Sequence, residues 1–274
     1  MAEEGGSPVK KGTIEFRIGF TLTGIILFLA ILSIFYTPYD INAMDKTARQ
    51  LAPSLQHLFG TDNYGRDIFS RAITGSRFTL LVALSTVGSC TVIASALGLI
   101  SGYLGGPVDE IIMRLIDAIS SFPDILIALI VVTILSYGKY TIVIALCVTF
   151  VPSFTRIVRT ATLQFKNAEF VRNLRVFGVS DLRILLVHIF PNTFPLLLST
   201  IVIGLSNAIL AEAAMSYLGL GIQPPTPSWG RMLQESQAII YNAPWAAIAP
   251  GIMIVMTIMG LNSIGEGIRK RYLA

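Results

Sequence analysis

The chain has 274 residues, of which 53% are hydrophobic and only 13% charged, against roughly 45–50% and about 25% in soluble domains. That much apolar surface excludes an ordinary soluble domain and points to a chain that crosses the bilayer several times. The net charge of +4 comes from basic residues at the ends of apolar runs rather than in one patch, a pattern of membrane topology and not of a nucleic-acid surface.

Lys10, Lys11 and Arg17 precede the first apolar run, 18–36. This run outlasts the roughly 7–15-residue core of a secretory signal and leads into YTPYD with no small-residue cleavage site, so it is expected to remain as a span after a cytoplasmic stretch at 1–17. An external segment, 37–77, follows. Within it, GTDNYGRD (60–67) has the glycine spacing of a phosphate-binding loop. Arg66 and Asp67, however, stand where lysine and a hydroxyl are needed, which speaks against nucleotide binding. Asp62, Arg66, Asp67 and Arg71 read as ion pairs or helix caps, with direct ligand contact as the alternative.

Five more apolar runs, at 79–103, 115–136, 141–160, 188–211 and 245–266, each approach the about 17–25 residues that a bilayer requires. The expectation is an all-α membrane protein with six transmembrane helices. The core is placed at 78–266 and a cytoplasmic tail at 267–274. Basic residues cluster at 10–17, 156–183 and 269–271, so both termini and the connection between the fourth and fifth spans are expected inside. Arg114, Asp117 and Asp109 would support the same face. Tyr137, Lys139 and Tyr140 form a short external turn, most simply an interfacial anchor.

Asp124 and Glu212 are ionisable residues near or within apolar runs. Such residues usually face the bundle interior or a water-filled path, which makes both pore candidates; a position at headgroup level is the alternative. Cys90 and Cys147 lie apart inside apolar runs and read as packing residues. With His57 and His188 as the two histidines, no catalytic or metal-binding set is apparent.

The connection 164–190 is a polar island, NAEFVRNLRVFGVSDLRILLVHIFPN over 167–192. Phe170, Val171, Leu174 and Phe177 fall on one side of a short helix, with Glu169, Arg172 and Arg175 on another. Gly178 offers a left-handed stop. Ser180 can cap a second helix, Asp181 suits its positive end, and Pro191 marks a bend into the fifth span. Two readings stay open for this pair of amphipathic helices: a loop lying among lipid headgroups, or a knob seated in a groove of a soluble partner. In the external loop 212–244, Pro225 and its neighbouring prolines stiffen the chain. Trp229 and Arg231 are residue types that anchor interfaces, either with a partner or within the subunit.

The island resembles the cytoplasmic loop of permease subunits in bacterial ATP-binding-cassette importers, whose pattern is E-A-A, three residues, Gly, nine residues, I-x-L-P. Gly178 and Pro191 hold that register, while Arg172-Asn173-Leu174 stands where E-A-A belongs, and Glu169 lies nearby on the same helix. HLFGTDNYGRDIFSR (57–71), GYLGGPVDEIIMRLIDAISSFP (102–123) and SYLGLGIQPPTPSWGRML (216–233) resemble blocks of the C-type permeases of the dipeptide, oligopeptide and nickel importers.

The resemblance implies a type I importer permease fold with short cytoplasmic coupling helices in a bacterial plasma membrane. It implies a heterodimer with a second permease, two ATPase subunits that carry ATP and Mg, and an external solute-binding protein. Coupling to the ATPase would fall to Glu169, Phe170, Arg172, Leu174, Arg175, Phe177, Gly178 and Asp181. Trp229, Arg231 and Pro225 would meet the binding protein. This chain would bind no cofactor and catalyse nothing itself. An ion-coupled carrier remains the alternative, although no internal repeat favours it.

Overall fold

The computed structural model describes residues 8–135 and 140–272, with side chains over 14–135 and 140–270. Ten helices account for most of these residues: α1 (Pro8–Phe35), α2 (Ile68–Leu104), α3 (Gly106–Ser120), α4 (Asp124–Leu135), α5 (Thr141–Lys166), α6 (Glu169–Val176), α7 (Asp181–Arg183), α8 (Phe190–Tyr217), α9 (Trp229–Ser236) and α10 (Trp245–Tyr272). A π-helical turn, Ile184–Ile189, joins α7 to α8. The stretches 14–35, 68–104, 141–166, 181–217 and 245–270 are each long and apolar enough to span a membrane.

The third expected span, 115–136, is not one straight helix. Its residues divide between α3 and α4, which meet at 91° across Ser121, Phe122 and Pro123. Proline disfavours helix for the residue before it and cannot donate to a preceding turn, so the chain restarts at Asp124. Counting the bent pair as one crossing gives the expected six.

Other boundaries also move. Helix α2 begins at Ile68 rather than 79, because Asp67 accepts a hydrogen bond from the Ser70 amide at 2.8 Å and caps it. The first turns hold Ser70, Arg71, Thr74 and Ser76, too polar for a hydropathy reading, yet all four are buried inside the subunit. The fifth span begins at Asp181 rather than 188. Pro191 does not bend it, since the Phe190 amide reaches back five residues to Leu185 in the π turn and carries the helix through. Tyr137 and Lys139 of the expected external turn lie outside the described residues, as do 1–7 and 273–274.

Two close approaches hold the bundle together. Gly98 and Gly102 on α2 press against α5. A Cβ at Gly98 would lie 2.7 Å from Val158 and 2.8 Å from the Thr155 carbonyl, and one at Gly102 would meet Thr162 at 2.8 Å. Between α1 and α10, Gly19 faces Gly260, where a Cβ would stand 2.6 Å from the Gly260 carbonyl. Small residues at this spacing let backbones approach, and dispersion then replaces the hydrophobic drive that lipid does not supply. Around these contacts a core of Ile26, Ile73, Val87, Phe154, Ile209 and Met253 links α1, α2, α5, α8 and α10.

The bundle has two polar ends. At the basal end α2 and α5 stop, α3 starts, the 167–180 connection folds back, and Lys270 of α10 pairs with Glu15 of α1 at 2.6 Å. At the distal end the 36–67 segment packs against α9 and the start of α10, with the Trp245 indole donating to the Thr61 carbonyl at 3.4 Å.

The α2–α5 seam generates a test. Gly98→Leu should destabilise the protein by about 1–3 kcal/mol through overpacking and lower its thermal midpoint in detergent. Gly88→Ala, whose added carbon meets nothing within 4 Å, should leave the midpoint unchanged or raise it slightly, since alanine favours helix.

Candidate functional site: a basal coupling elbow and a distal clamp

The basal elbow is built on a helix stop. In α6 the Val179 amide donates to the Leu174 carbonyl at 3.1 Å and the Gly178 amide to Arg175 at 3.0 Å, the paired bonds that end a helix with a left-handed residue. Gly178 supplies that conformation, with φ of 74°. The chain then reverses into α7.

The elbow is fastened to the spans in two ways. Val171, Ile184 and Ile189 are fully buried against Leu99, Val158 and Leu197, with Leu174 partly buried beside them. Above this apolar seat, the Tyr103 hydroxyl at the end of α2 donates to the Asp181 carboxylate. The Arg175 guanidinium lies 5.6 Å and the Lys166 ammonium 5.8 Å from the Tyr103 ring centre, within cation–π range. Arg175 also donates to the Tyr103 oxygen at 3.4 Å. That bond, chiefly, holds the Arg175 guanidinium above its ordinary range.

The expected coupling residues therefore divide. Leu174 packs inward, and Arg175 and Asp181, though exposed, fix the elbow through their contacts with Tyr103. Glu169, Phe170, Arg172 and Phe177 face outward. Phe177 is 83% exposed and Val176 85%, so the expected apolar side of α6 is split: Val171 and Leu174 go inward and the phenylalanines do not. The second apolar stripe divides likewise, with Ile189 buried and Leu182 and Leu186 exposed. Ser180 precedes α7 but makes no side-chain cap bond.

Above the elbow, ion pairs tie α3 to α5. Asp109 takes two hydrogen bonds from Arg159, at 2.6 and 2.5 Å, and Asp117 accepts from Arg156 at 2.7 Å. Arg114 pairs within α3 with Glu110 at 2.5 Å.

At the distal end, a buried charge network closes the external segment onto α9. Asp62 accepts from Arg66 at 2.6 Å, and Glu235 accepts from Arg66 at 2.5 Å, Arg71 at 3.1 Å and Arg231 at 3.2 Å. His57 lies 2.9 Å from Asp67. The segment resembling a phosphate loop is filled by its own contacts: Asp62 also accepts from the Tyr64 and Arg66 amides at 2.8 and 3.0 Å.

Two expected roles are corrected. Trp229 is 0% exposed, and its indole donates to the Ala72 carbonyl at 3.0 Å. No part of it is available to an external partner, and it instead pins α9 to α2. Glu212 is likewise 0% exposed and accepts from Ser216 at 2.6 Å. It is sealed among α8, α2 and the 218–228 loop rather than lining a path. Pro225 is exposed and Arg231 partly so.

Asp124 does open onto a space: a cleft of about 300 Å3 bounded by the α3–α4 break, α5 and α8. Sequence reasoning missed Tyr103, Glu235, Arg156 and Asn207. Only Glu235 carried a local signal, four residues after Arg231 on one helix.

Residues 94–272 match the family described as binding-protein-dependent transport system inner membrane component. The chain belongs to this family. It is 36% identical over 252 residues to the dipeptide transport system permease protein of Alkalihalophilus pseudofirmus, covering 92% of this chain and 83% of that protein. The glutathione transport system permease protein of Escherichia coli O6:K15:H31 is 39% identical over 246 residues, 89% of this chain and 81% of that protein. A dipeptide transport system permease protein of Haemophilus influenzae is 36% identical over 258 residues, 92% and 88% of the two chains. The chain is thus a multi-pass inner-membrane permease subunit of an ATP-binding-cassette importer, and the ion-coupled carrier reading is set aside.

The distal clamp of this permease yields a stability test. Glu235→Gln removes the carboxylate shared by Arg66 and Arg71, whose side chains are 6% and 1% exposed. Leaving buried charges uncompensated should cost about 3–5 kcal/mol, visible as a lowered unfolding midpoint in detergent.

Proposed function

We propose that this permease carries short peptides inward as one of two permease subunits in a heterodimer, driven by two ATPase subunits that hold ATP and Mg. An external solute-binding protein delivers the cargo. The basal end is cytoplasmic and the distal end external, with both termini inside. This orientation agrees with the basic residues at 10–17, 156–183 and 269–271. Dipeptides and glutathione, named in the relatives' descriptions, support a peptide cargo. Metal chelates, which the sequence resemblance also implies, are the comparison solutes.

The observation that carries this reading is the elbow: an exposed apolar tip, Val176 and Phe177, on a loop rigidly seated against α2, α5 and the start of α8. Exposed aromatic and apolar side chains at the tip of a basic cytoplasmic loop suit a groove on a soluble partner. Glu169, Phe170, Arg172 and Phe177 make the docking surface. Tyr103, Arg175 and Asp181 pass its displacement into α2, and the π turn passes it into α8 without a flexible joint. ATP can reset the pore only by favouring one of two arrangements, and the elbow transmits that preference. At the distal end, the exposed loop around Pro225 and the outer fringe of Arg231 receive the binding protein.

Purification of tagged chain in mild detergent tests the assembly: recovery of a sister permease and two ATPase chains with vanadate-sensitive hydrolysis is expected, and a lone protein without ATPase activity would overturn it. Phe177→Asp should cut ATPase recovery roughly tenfold, as loss of a central aromatic anchor does. Gly178→Val forces a branched side chain into left-handed backbone at a cost of about 1–2 kcal/mol, with no packing clash to add, since nothing lies within 4 Å. The complex should still assemble, but uptake per ATP hydrolysed should fall; normal coupling would count against the elbow.

A further inference from the structure

The cleft at the break between α3 and α4 lies at mid-depth. Ser153 and Gly204, both in its lining, sit halfway along α5 and α8. Irregular backbone is tolerated at that depth only against protein or water. Asp124, Ser153, Arg156 and Asn207 line the same cleft with exposed side chains. Polar groups at such a depth usually face a bundle interior or a water-filled path rather than hydrocarbon. Gly204 shapes the floor: a Cβ there would stand 2.5 Å from the Phe154 ring, and its absence lets that ring lie close to α8.

Charge in the cleft is asymmetric. Arg156 is occupied, donating to Asp117 at 2.7 Å and to Ser120 at 3.0 Å. Asp124 makes no hydrogen bond or ion pair with the described residues. The free charge the cleft offers a passing solute is therefore a carboxylate, which favours a cationic partner that can donate to it.

We propose that Asp124 is a transient binding point for the protonated amino terminus of the translocating peptide. The α-ammonium donates hydrogen bonds to the Asp124 carboxylate, and Asn207 and Ser153 offer polar partners to the first peptide group. The Arg156–Asp117 pair bounds the cleft on its basal side. Dipeptides and glutathione differ in linkage, glutathione carrying its α-ammonium beside a free α-carboxylate, but both present an ammonium that one carboxylate can bind. The assignment rests on the importer reading above and adds to it which end of the cargo this subunit recognises.

The test uses the complete transporter in proteoliposomes with its binding protein, ATP and alanyl-alanine. Asp124→Asn should lower uptake roughly tenfold, the usual effect of removing a charged hydrogen-bond partner, while Asp124→Glu restores most of it. Unchanged uptake in Asp124→Asn would overturn the assignment.

A second measurement is independent of transport. With Ser153→Cys as the reporter, and Cys90 and Cys147 buried, a cationic methanethiosulfonate should react about tenfold faster than an anionic one. Adding Asp124→Asn should bring that ratio toward one. Equal rates with Asp124 intact would refute the free carboxylate. Loss of the sister permease on purification of Asp124→Asn would also refute it, by showing that the carboxylate pairs with a cation of that chain. Failure of the wild-type complex to recruit an ATPase would instead remove the importer assembly, leaving the thiol-rate ratio as the measure of the cleft.

Discussion

The architecture depends on how closely α2 can approach α5. Gly98 and Gly102 remove the side chains that would hold the two helices apart, and Val158, Thr155 and Thr162 occupy the space. Because α2 runs the full depth of the subunit, this seam links both functional ends. Its first turn, capped by Asp67, carries Arg71 of the distal clamp, and its last carries Tyr103 of the basal elbow. A displacement of the elbow is therefore felt by a rod whose other end is gripped by Glu235. Packed helices shift as units rather than deform continuously, which suits a device that must alternate between two states.

Charge is used differently at the two ends. At the distal clamp Arg66 and Arg71 are buried with Asp62 and Glu235, and a buried network of this kind fixes geometry more than it adds stability. It orders a long segment that contains little regular structure and holds α9 against α2 together with Trp229. At the basal end the pairs are more exposed: Arg175 near Asp181, Arg159 with Asp109, Arg156 with Asp117. Exposed pairs contribute little individually and reform readily.

The broken third span lies between these ends. The other long helices run on through Pro152, Pro195 and Pro250, whereas the α3–α4 turn breaks the helix beside the cleft that Asp124, Ser153 and Asn207 share. Pro123 ends the first helix locally, and the packing of α4 against α5 sets where the second one goes. The same geometry gives α3 two neighbours, since its carboxylates reach the arginines of α5.

The span count, the helical class, the elbow glycine and the polar connection before the fifth span were all legible in the sequence. Each is written in residues adjacent along the chain: apolar runs of bilayer length, a basic loop, and Gly178 followed by Asp181. The depth of α2 was hidden, because Arg71, Thr74 and Ser76 look exposed until a partner segment covers them. Trp229 read as an interface anchor since a tryptophan in a proline-rich loop looks the same whether it faces inward or outward. Glu212 and Asp124 looked alike as ionisable residues by apolar runs, and only folding sealed one among hydroxyls and opened the other to a cleft. Local sequence thus determined what each segment is, because helix length, amphipathic period and left-handed stops are short-range properties. Which polar groups became structure and which stayed available for function was decided by tertiary packing, because burial and charge pairing depend on residues far away in the chain, such as Glu235 against Arg71 and Asp181 against Tyr103.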